Sequence, residues 1–468
     1  MNRSRCPPEA GTPLTQISLP LTPSFTTFSP THSPSVTDLL KGGGDSHNLL
    51  RLQVSKGSSV YLDSIASTPA RQGRLRSHFW LSMIALGLAF LSCPTGRGQD
   101  DVAHTGSDVP PILKIGSQAP DFNLPGVDGK SHSLKDYASS KILVVIFSCN
   151  HCPVAQMYEK RIKQLFTDYQ GRGVAVVVIM GNDPKAEELS EYGYTDVGDS
   201  FADMKARAAY RNFTYPYLYD GATQSVALTY GPTATPHAFI FDQQRILRYE
   251  GRIDSNQREE LATKHEARDA VDALLAGKPV AVTDTPAVGC STKWAYKAAN
   301  VEHEMAHFND RPVTLDLISA DQLKRLRQNA GTDKLLLVNV WATWCGPCIE
   351  EFPELQTMVR MYANRPLTIV TLSINNPDEK PLVSAFLQKQ HAFNKNFLFN
   401  SNDAADAVKA FGTGWAGGAP YTVLIGTKGE VLYRTQGEMN VLDVRRAILK
   451  NVADDLYLGQ HSYWNSTF

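Results

Sequence analysis

The chain has 468 residues, 42% apolar and 20% charged, a globular balance too long for one hydrophobic core and suited to two or three domains. Lys plus Arg is 46 and Asp plus Glu is 47, so a net charge of −1 removes any global electrostatic case for nucleic-acid binding. No apolar run reaches the ~20 residues that span a bilayer, and 7 cysteines are too sparse for a disulfide-built scaffold.

Residues 1–75 read as non-globular. Ser, Thr, Pro and Gly fill 34 of these 75 positions, and the apolar residues show no regular period, so a low-complexity, disordered segment is expected. Arg71, Arg74 and Arg76 then precede an apolar run from Phe79 to Leu91 and a small-residue end, Cys93-Pro-Thr-Gly-Arg-Gly98. A basic head, a short apolar body and a small-residue end describe a secretory signal over 76–98. Gly96 and Gly98 occupy the two positions that a signal peptidase reads. Cys93 offers a weaker alternative, a lipid anchor, because Phe90-Leu91-Ser92 departs from the usual lipobox. This reading puts the mature start near Gln99, in the periplasm, and makes residues 1–70 an over-extended reading of the start codon.

From Pro110 onward one order of features occurs twice. The apolar run Ile142–Phe147 leads into Cys149-Asn-His-Cys152, then a helical pattern and the strand Val174–Ile179. Tyr215-Pro-Tyr-Leu-Tyr219 follows, then Thr235-Pro236 before the strand His237–Phe241, a turn into Ile246–Tyr249, and a helix over about 257–276. The second copy runs Leu335–Trp341, Cys345-Gly-Pro-Cys348, a helix to about Tyr362, and the strand Leu367–Ile374. Ala419-Pro420 precedes its late strand Tyr421–Ile425, and Val431–Tyr433 pairs back. The domains are predicted at 112–277 and 313–455, joined by a connector at 278–312 and followed by a tail at 456–468.

Both units resemble thioredoxin-fold domains. Residues 312–455 are similar to extracytoplasmic TlpA/ResA-type thioredoxins, through Val338-Asn-Val-Trp-Ala-Thr-Trp-Cys-Gly-Pro-Cys348 and Glu351-Phe-Pro353. Residues 112–294 resemble a redoxin branch of the alkyl hydroperoxide reductase/thiol-specific antioxidant group. Gly116-Ser-Gln-Ala-Pro-Asp-Phe122, Cys149-Asn-His-Cys-Pro153, Tyr217-Leu-Tyr-Asp220, Thr235-Pro236 and Gly289-Cys-Ser-Thr-Lys-Trp294 carry that resemblance. The fold class is therefore two tandem α/β thioredoxin-like folds, each a central mixed sheet flanked by helices.

A C-x-x-C pair serves zinc ribbons as well as redox proteins, but zinc takes four ligands and these pairs belong to separate domains. At a strand-to-helix junction a thiol faces unpaired backbone N–H groups and the positive end of the helix dipole, which lower its pKa from ~8.5 towards 3.5–7.5. Cys149 and Cys345 are the expected nucleophiles, with Cys152 and Cys348 one turn into each helix as resolving thiols. His151, between the first pair, favours a Cys149 thiolate and makes that site the more oxidising. The resemblance implies redox-active disulfides Cys149–Cys152 and Cys345–Cys348. It also implies cis prolines at Pro236 and Pro420 whose preceding residues, Thr235 and Ala419, offer backbone to substrate. It gives Glu351 the task of handling the proton of the buried cysteine.

Cys290 is read as an accessory thiol that resolves Cys149, binds a partner or stays reduced. His303-Glu-Met-Ala-His307 fits the zinc-protease pattern H-E-x-x-H, but a connector leaves little helix and no cleft for a third ligand. The favoured function is an exported thiol–disulfide oxidoreductase without cofactor or metal, acting on exported protein thiols and disulfides, for example an apocytochrome, or on a membrane electron donor. A thiol peroxidase is the first alternative. Its P-x-x-x-T/S-x-x-C pattern, counted back from Cys149, finds Ile146 and Ile142 in the Thr/Ser and Pro places. A redox-inactive binding module is the second.

Overall fold

The computed structural model describes residues 109–453 and 459–466. The low-complexity segment, the signal and the Cys93 anchor lie outside the described residues. Among the described residues, no helix is long and apolar enough to cross a membrane.

The first domain runs through β1 (Asn123–Pro125), β2 (Ser131–Ser133), β3 (Ile142–Phe147), α1 (Pro153–Tyr169), β4 (Val174–Met180), α2 (Phe201–Arg211) and β5 (Tyr217–Tyr219). It continues with α3 (Ala227–Tyr230), β6 (Ala234–Thr235), β7 (His237–Phe241), β8 (Leu247–Gly251), α4 (Glu266–Leu275) and β9 (Cys290–Ser291). Its main sheet has the order β5-β4-β3-β7-β8, parallel across β5, β4 and β3 and antiparallel at β7 and β8. All six residues of β3 are buried because both faces are covered. Ile142, Val144 and Ile146 meet α1 and α4, while Leu143, Val145 and Phe147 meet Tyr230, Phe239 and Trp294.

After α5 (Ala298–Asn309), the second domain has β10 (Asp316–Ile318), α6 (Ala320–Gln328), β11 (Leu335–Trp341), α7 (Gly346–Met361), β12 (Leu367–Ser373) and α8 (Lys380–Lys389). Then come β13 (Lys395–Phe399), α9 (Ala404–Phe411), β14 (Tyr421–Ile425), β15 (Val431–Gln436), α10 (Val441–Asn451) and α11 (Gln460–Asn465). The sheet order is β10-β13-β12-β11-β14-β15. Leu335, Leu337 and Trp341 face α7, and Leu336, Val338 and Val340 face the opposite layer. Two-residue periodicity places Asn339, the polar member of this strand, on the α7 side, where its amide donates to Glu351 Oε1 at 2.9 Å.

Four expectations are corrected. The 278–312 connector is not free chain: β9 pairs with β6, Trp294 is buried in the first core, and α5 spans Ala298–Asn309. The 456–468 tail contains α11, with Tyr463 and Trp464 buried. The last helix of the first domain starts at Glu266 instead of 257. Upstream, Ser255 Oγ accepts from Thr263 and Lys264 N–H, and Arg161 holds the Asn256 and Gln257 carbonyls, so that backbone is committed outside a helix. Finally, β10 and β13 add a parallel edge that three- and five-residue runs did not announce.

The domains share an interface. Leu189 and Tyr192 pack on the second core, and Arg445 donates to the Thr195 carbonyl at 2.8 Å. Asp196 pairs with Arg446 at 2.8 Å and with Arg207 at 3.1 Å. From α11, Tyr463 OH donates to Glu159 at 2.5 Å and accepts from Arg207 at 2.8 Å, while Arg207 also lies over the Trp464 ring. Trp464→Ala should therefore cost about 3–5 kcal/mol in urea unfolding of the full chain. A cost below about 1 kcal/mol would show that α11 is not docked in solution.

Candidate active sites

In the second domain Cys345 is the N-cap of α7, and Cys348 lies in its first turn with its N–H donating to Cys345 Sγ at 3.3 Å. The two sulfurs form a disulfide with Cα atoms 5.3 Å apart. Cys345 is 6% exposed and Cys348 is fully buried, beside Trp344, which is 63% exposed. The Ala419-Pro420 bond is cis. Glu351 is buried behind the pair, accepting from Asn339 and from the Met439 N–H at 2.9 Å, and burial raises its carboxyl above the ordinary value of 4.5.

The first domain departs from expectation at the helix start. Cys152, not Cys149, is the N-cap of α1, with Pro153 as the first helical residue. Sheet register agrees. Phe147 pairs with His237 and Val340 pairs with Tyr421, the residues that follow the two cis prolines, Pro236 and Pro420. Cys152 and Cys345 each lie five residues beyond those strand positions. Cys152 is thus the counterpart of Cys345, and Cys149 corresponds to Ala342.

All three thiols of this domain meet here. Cys152 Sγ accepts from the Ala155 N–H at 3.5 Å and the Cys290 N–H at 3.2 Å. Burial opposes its ionisation, yet hydrogen bonds from the Cys149 and Cys290 thiols, the His151 charge and the Ala155 N–H hold it well below the ordinary thiol range. Burial pushes the Cys149 thiol up, and its Sγ lies 3.0 Å from Thr235 Oγ1. The hydrogen bond to Cys152, then burial, raises Cys290. Of the three thiols, Cys152 is the one that its surroundings hold lowest.

His151 supplies the compensating charge, although it does not serve Cys149 as the sequence reading expected. Its Nδ1 lies 2.8 Å from Asp199 Oδ2 and 3.8 Å from Glu187 Oε1. Against burial, the Asp199 charge and hydrogen bond push the imidazole up to about 10. Asp199 also accepts from the Asn150 and His151 N–H groups, at 2.7 and 3.2 Å, and from Asn182 Nδ2 at 2.8 Å. Cys149, His151 and Asp199 bring three ligand-type atoms within 4.8 Å, but the carboxylate is already spent on these donors. Asp199, Glu187 and Asn182 escaped the sequence reading, because no spacing links them to the C-x-x-C pair.

Cys290 reaches the site on β9, in register with Thr235 of β6. Gly289 permits the approach: at φ +156 its backbone passes so close to the Thr235 carbonyl that a Cβ would stand 1.8 Å from the oxygen. The H-E-x-x-H residues occupy α5, more helix than the connector reading allowed. His303 and His307 are exposed, and Glu304 caps another segment, accepting from the Leu189 and Ser190 N–H groups at 2.6 and 3.1 Å.

Both domains match known protein families. The AhpC/TSA family profile matches residues 115–250 and the Redoxin profile matches residues 309–448. The thiol:disulfide interchange protein DsbE of Pseudomonas aeruginosa is 31% identical over 117 residues, 25% of this chain and 59% of that protein. A candidate peroxiredoxin, bcp, of Helicobacter pylori is 26% identical over 109 residues, 23% of this chain and 72% of that protein. A solved hypothetical protein of Sinorhizobium meliloti is 34% identical, with 40% of this chain and 97% of that chain covered and a TM-score of 0.35. The chain is accordingly a tandem of two thioredoxin-fold redoxin domains, an AhpC/TSA-family domain followed by a redoxin domain, related to thiol–disulfide oxidoreductases and peroxiredoxins.

Proposed function

We propose that the protein is an exported thiol–disulfide oxidoreductase that exchanges disulfides with protein substrates at Cys345/Cys348 and carries a second redox centre around Cys152. The observation that carries this reading is the Cys345–Cys348 disulfide at a helix N-terminus, beside the exposed Trp344 and in the same cluster as Ala419, the residue before the cis proline, with which no strand pairs among the described residues. Cysteines carry the electrons, so the cycle uses no cofactor. The signal-like segment over 76–98 supports a periplasmic setting, where an exported protein such as an apocytochrome is the substrate and a membrane thiol carrier is the electron source. Thr235-Pro236 and Ala419-Pro420 flank the two reacting positions.

A peroxidase reading of the first site has one observation in its favour: within an AhpC/TSA-type domain, Cys152 holds the N-cap thiolate position. Counted from Cys152, however, the Thr/Ser and Pro places of the peroxidatic pattern are Cys149 and Val145. Hydrogen peroxide consumption that vanishes in Cys152→Ser would establish this second activity.

Attack order at the second site follows from helix position. Cys345→Ser should abolish insulin-disulfide reduction, and Cys348→Ser should accumulate mixed disulfides on Cys345. Equal trapping by both variants contradicts the assignment.

Burial holds the Glu351 carboxyl above its ordinary value of 4.5. The pH–rate profile of exchange at the second site should therefore carry a step above 4.5 that Glu351→Gln removes while the far-UV spectrum is unchanged. An unaltered profile makes Glu351 purely structural.

His151 makes a stability prediction. A base raised in the folded state stabilises fully below its ordinary pKa of 6.5 and loses that contribution as pH rises towards its folded value of about 10. Across that window the unfolding free energy should fall by up to about 1.4 kcal/mol per pH unit. The difference between wild type and His151→Asn, followed by urea unfolding, should show this slope, and parallel profiles would refute a charged His151.

A further inference from the structure

The two domains differ in how the strand before the cis proline is finished. In the second, Gly418 is exposed, Ala419 is half-buried, and no strand pairs with them among the described residues. In the first, the equivalent residues Ala234 and Thr235 are buried because β9 pairs with them antiparallel. The chain closes its own edge, and the segment that closes it carries a cysteine.

That segment is fixed on both sides of Cys290. Gly289 is seated against the Thr235 carbonyl, Thr292 Oγ1 donates to the Pro232 carbonyl at 2.6 Å, the Lys293 N–H donates to Asn182 at 2.9 Å, and Trp294 is buried. A thiol placed by accident needs none of this anchoring. Of the three cysteines, Cys149 and Cys152 are buried and Cys290 alone is half-exposed.

We propose that Cys290 is the outer thiol of the first site, that the site's working disulfide is Cys152–Cys290, and that exchange with external thiols takes place on the Cys290 sulfur. This rests on the reading that the first site is redox-active. An external thiolate attacks Cys290 Sγ, the Cys152–Cys290 bond breaks, and its electron pair leaves on Cys152. Attack falls on the sulfur of the least buried of the three cysteines, and the thiol with the lowest pKa departs. The Cys290 and Ala155 N–H groups and the His151 charge receive the new thiolate. A second external thiolate then attacks the external sulfur of the mixed disulfide and releases Cys290, which takes a proton. Two external thiols become one disulfide; the site gains two electrons and one proton, and one proton goes to solvent. By microscopic reversibility, oxidation by a small disulfide passes through the same mixed disulfide on Cys290, resolved by Cys152. Cys149 remains a thiol that donates to Cys152.

The test uses the full chain carrying Cys345→Ser and Cys348→Ser, which silences the second site and leaves the first untouched. After equilibration with oxidised glutathione, peptide mapping should find Cys152 linked to Cys290 and Cys149 free. Adding Cys152→Ser should leave a glutathione adduct on Cys290. In the oxidised chain, reduction by glutathione should be slowed about tenfold or more by Thr292→Val, which removes the side-chain anchor on the Pro232 carbonyl. A Cys149–Cys152 linkage with Cys290 unmodified overturns the proposal while keeping the site redox-active. Absence of any linkage or adduct on the three cysteines means that the first site is not redox-active at all.

Discussion

Each candidate site is organised by the position at which a helix starts relative to a cis-proline strand. Five residues after the strand position that faces the proline's neighbour, the chain turns into α1 or α7, and the N-cap there is a cysteine in both domains. An N-cap side chain sits in front of N–H groups that have no intrahelical partner. A sulfur in that place is stabilised as the anion without any basic side chain. Proline at the first or second helical position, Pro153 or Pro347, removes a donor that would be unsatisfied anyway and presets the backbone. The remaining parts of each site differ because they solve different problems around this shared point.

In the second domain the problem is a carboxyl group. Glu351 needs a buried partner, and Asn339 supplies it from the one polar position on the inner face of β11. In the first domain the problem is a buried imidazolium. Asp199, brought in from the start of α2, compensates it and at the same time holds the backbone N–H groups of Asn150 and His151. This carboxylate shapes the loop between the two cysteines as well as its charge, which explains how the helix can start one turn later than a simple reading of C-x-x-C implies.

Much of the architecture was legible. Two wholly apolar β-branched runs, each feeding a C-x-x-C pair and answered later by an X-Pro strand, were enough to place β3, β11, β7 and β14 and the thioredoxin-like order around them. The helix start in the first domain was also written in the sequence, since Cys152-Pro153 is an N-cap followed by proline at the first helical position, but the repeat with Cys345-Gly-Pro-Cys348 invited alignment on the first cysteine of each pair. Other parts were hidden for physical reasons. Asp199 and Cys290 reach Cys152 only through tertiary folding across tens of residues, and Glu304 belongs to a catalytic-looking pattern whose carboxylate is used as a helix cap. The α11 helix is too short to show a period, so its burial depends on partners in another domain.

The two edges separate what each site can meet. In the second domain the Gly418 and Pro420 carbonyls are taken by Trp415, Gln436 and Gly437, while no strand pairs with Ala419 among the described residues. An unpaired residue at that position is the geometry that strand-like docking of an extended polypeptide requires. An edge already paired to β9 is covered at Ala234 and Thr235, and a polypeptide could dock there only by displacing Cys290-Ser291 and the anchors around them. The first site is thereby confined to reactants that approach a single sulfur without strand pairing. The charges add to this division. A thiolate held by Ala155, Cys290 and His151 is a good leaving group and stabilises the reduced form of its site, which raises the potential. The Gly346-Pro347 pair offers the second site no comparable cation. The difference between the domains thus follows from which backbone edge the chain keeps for itself.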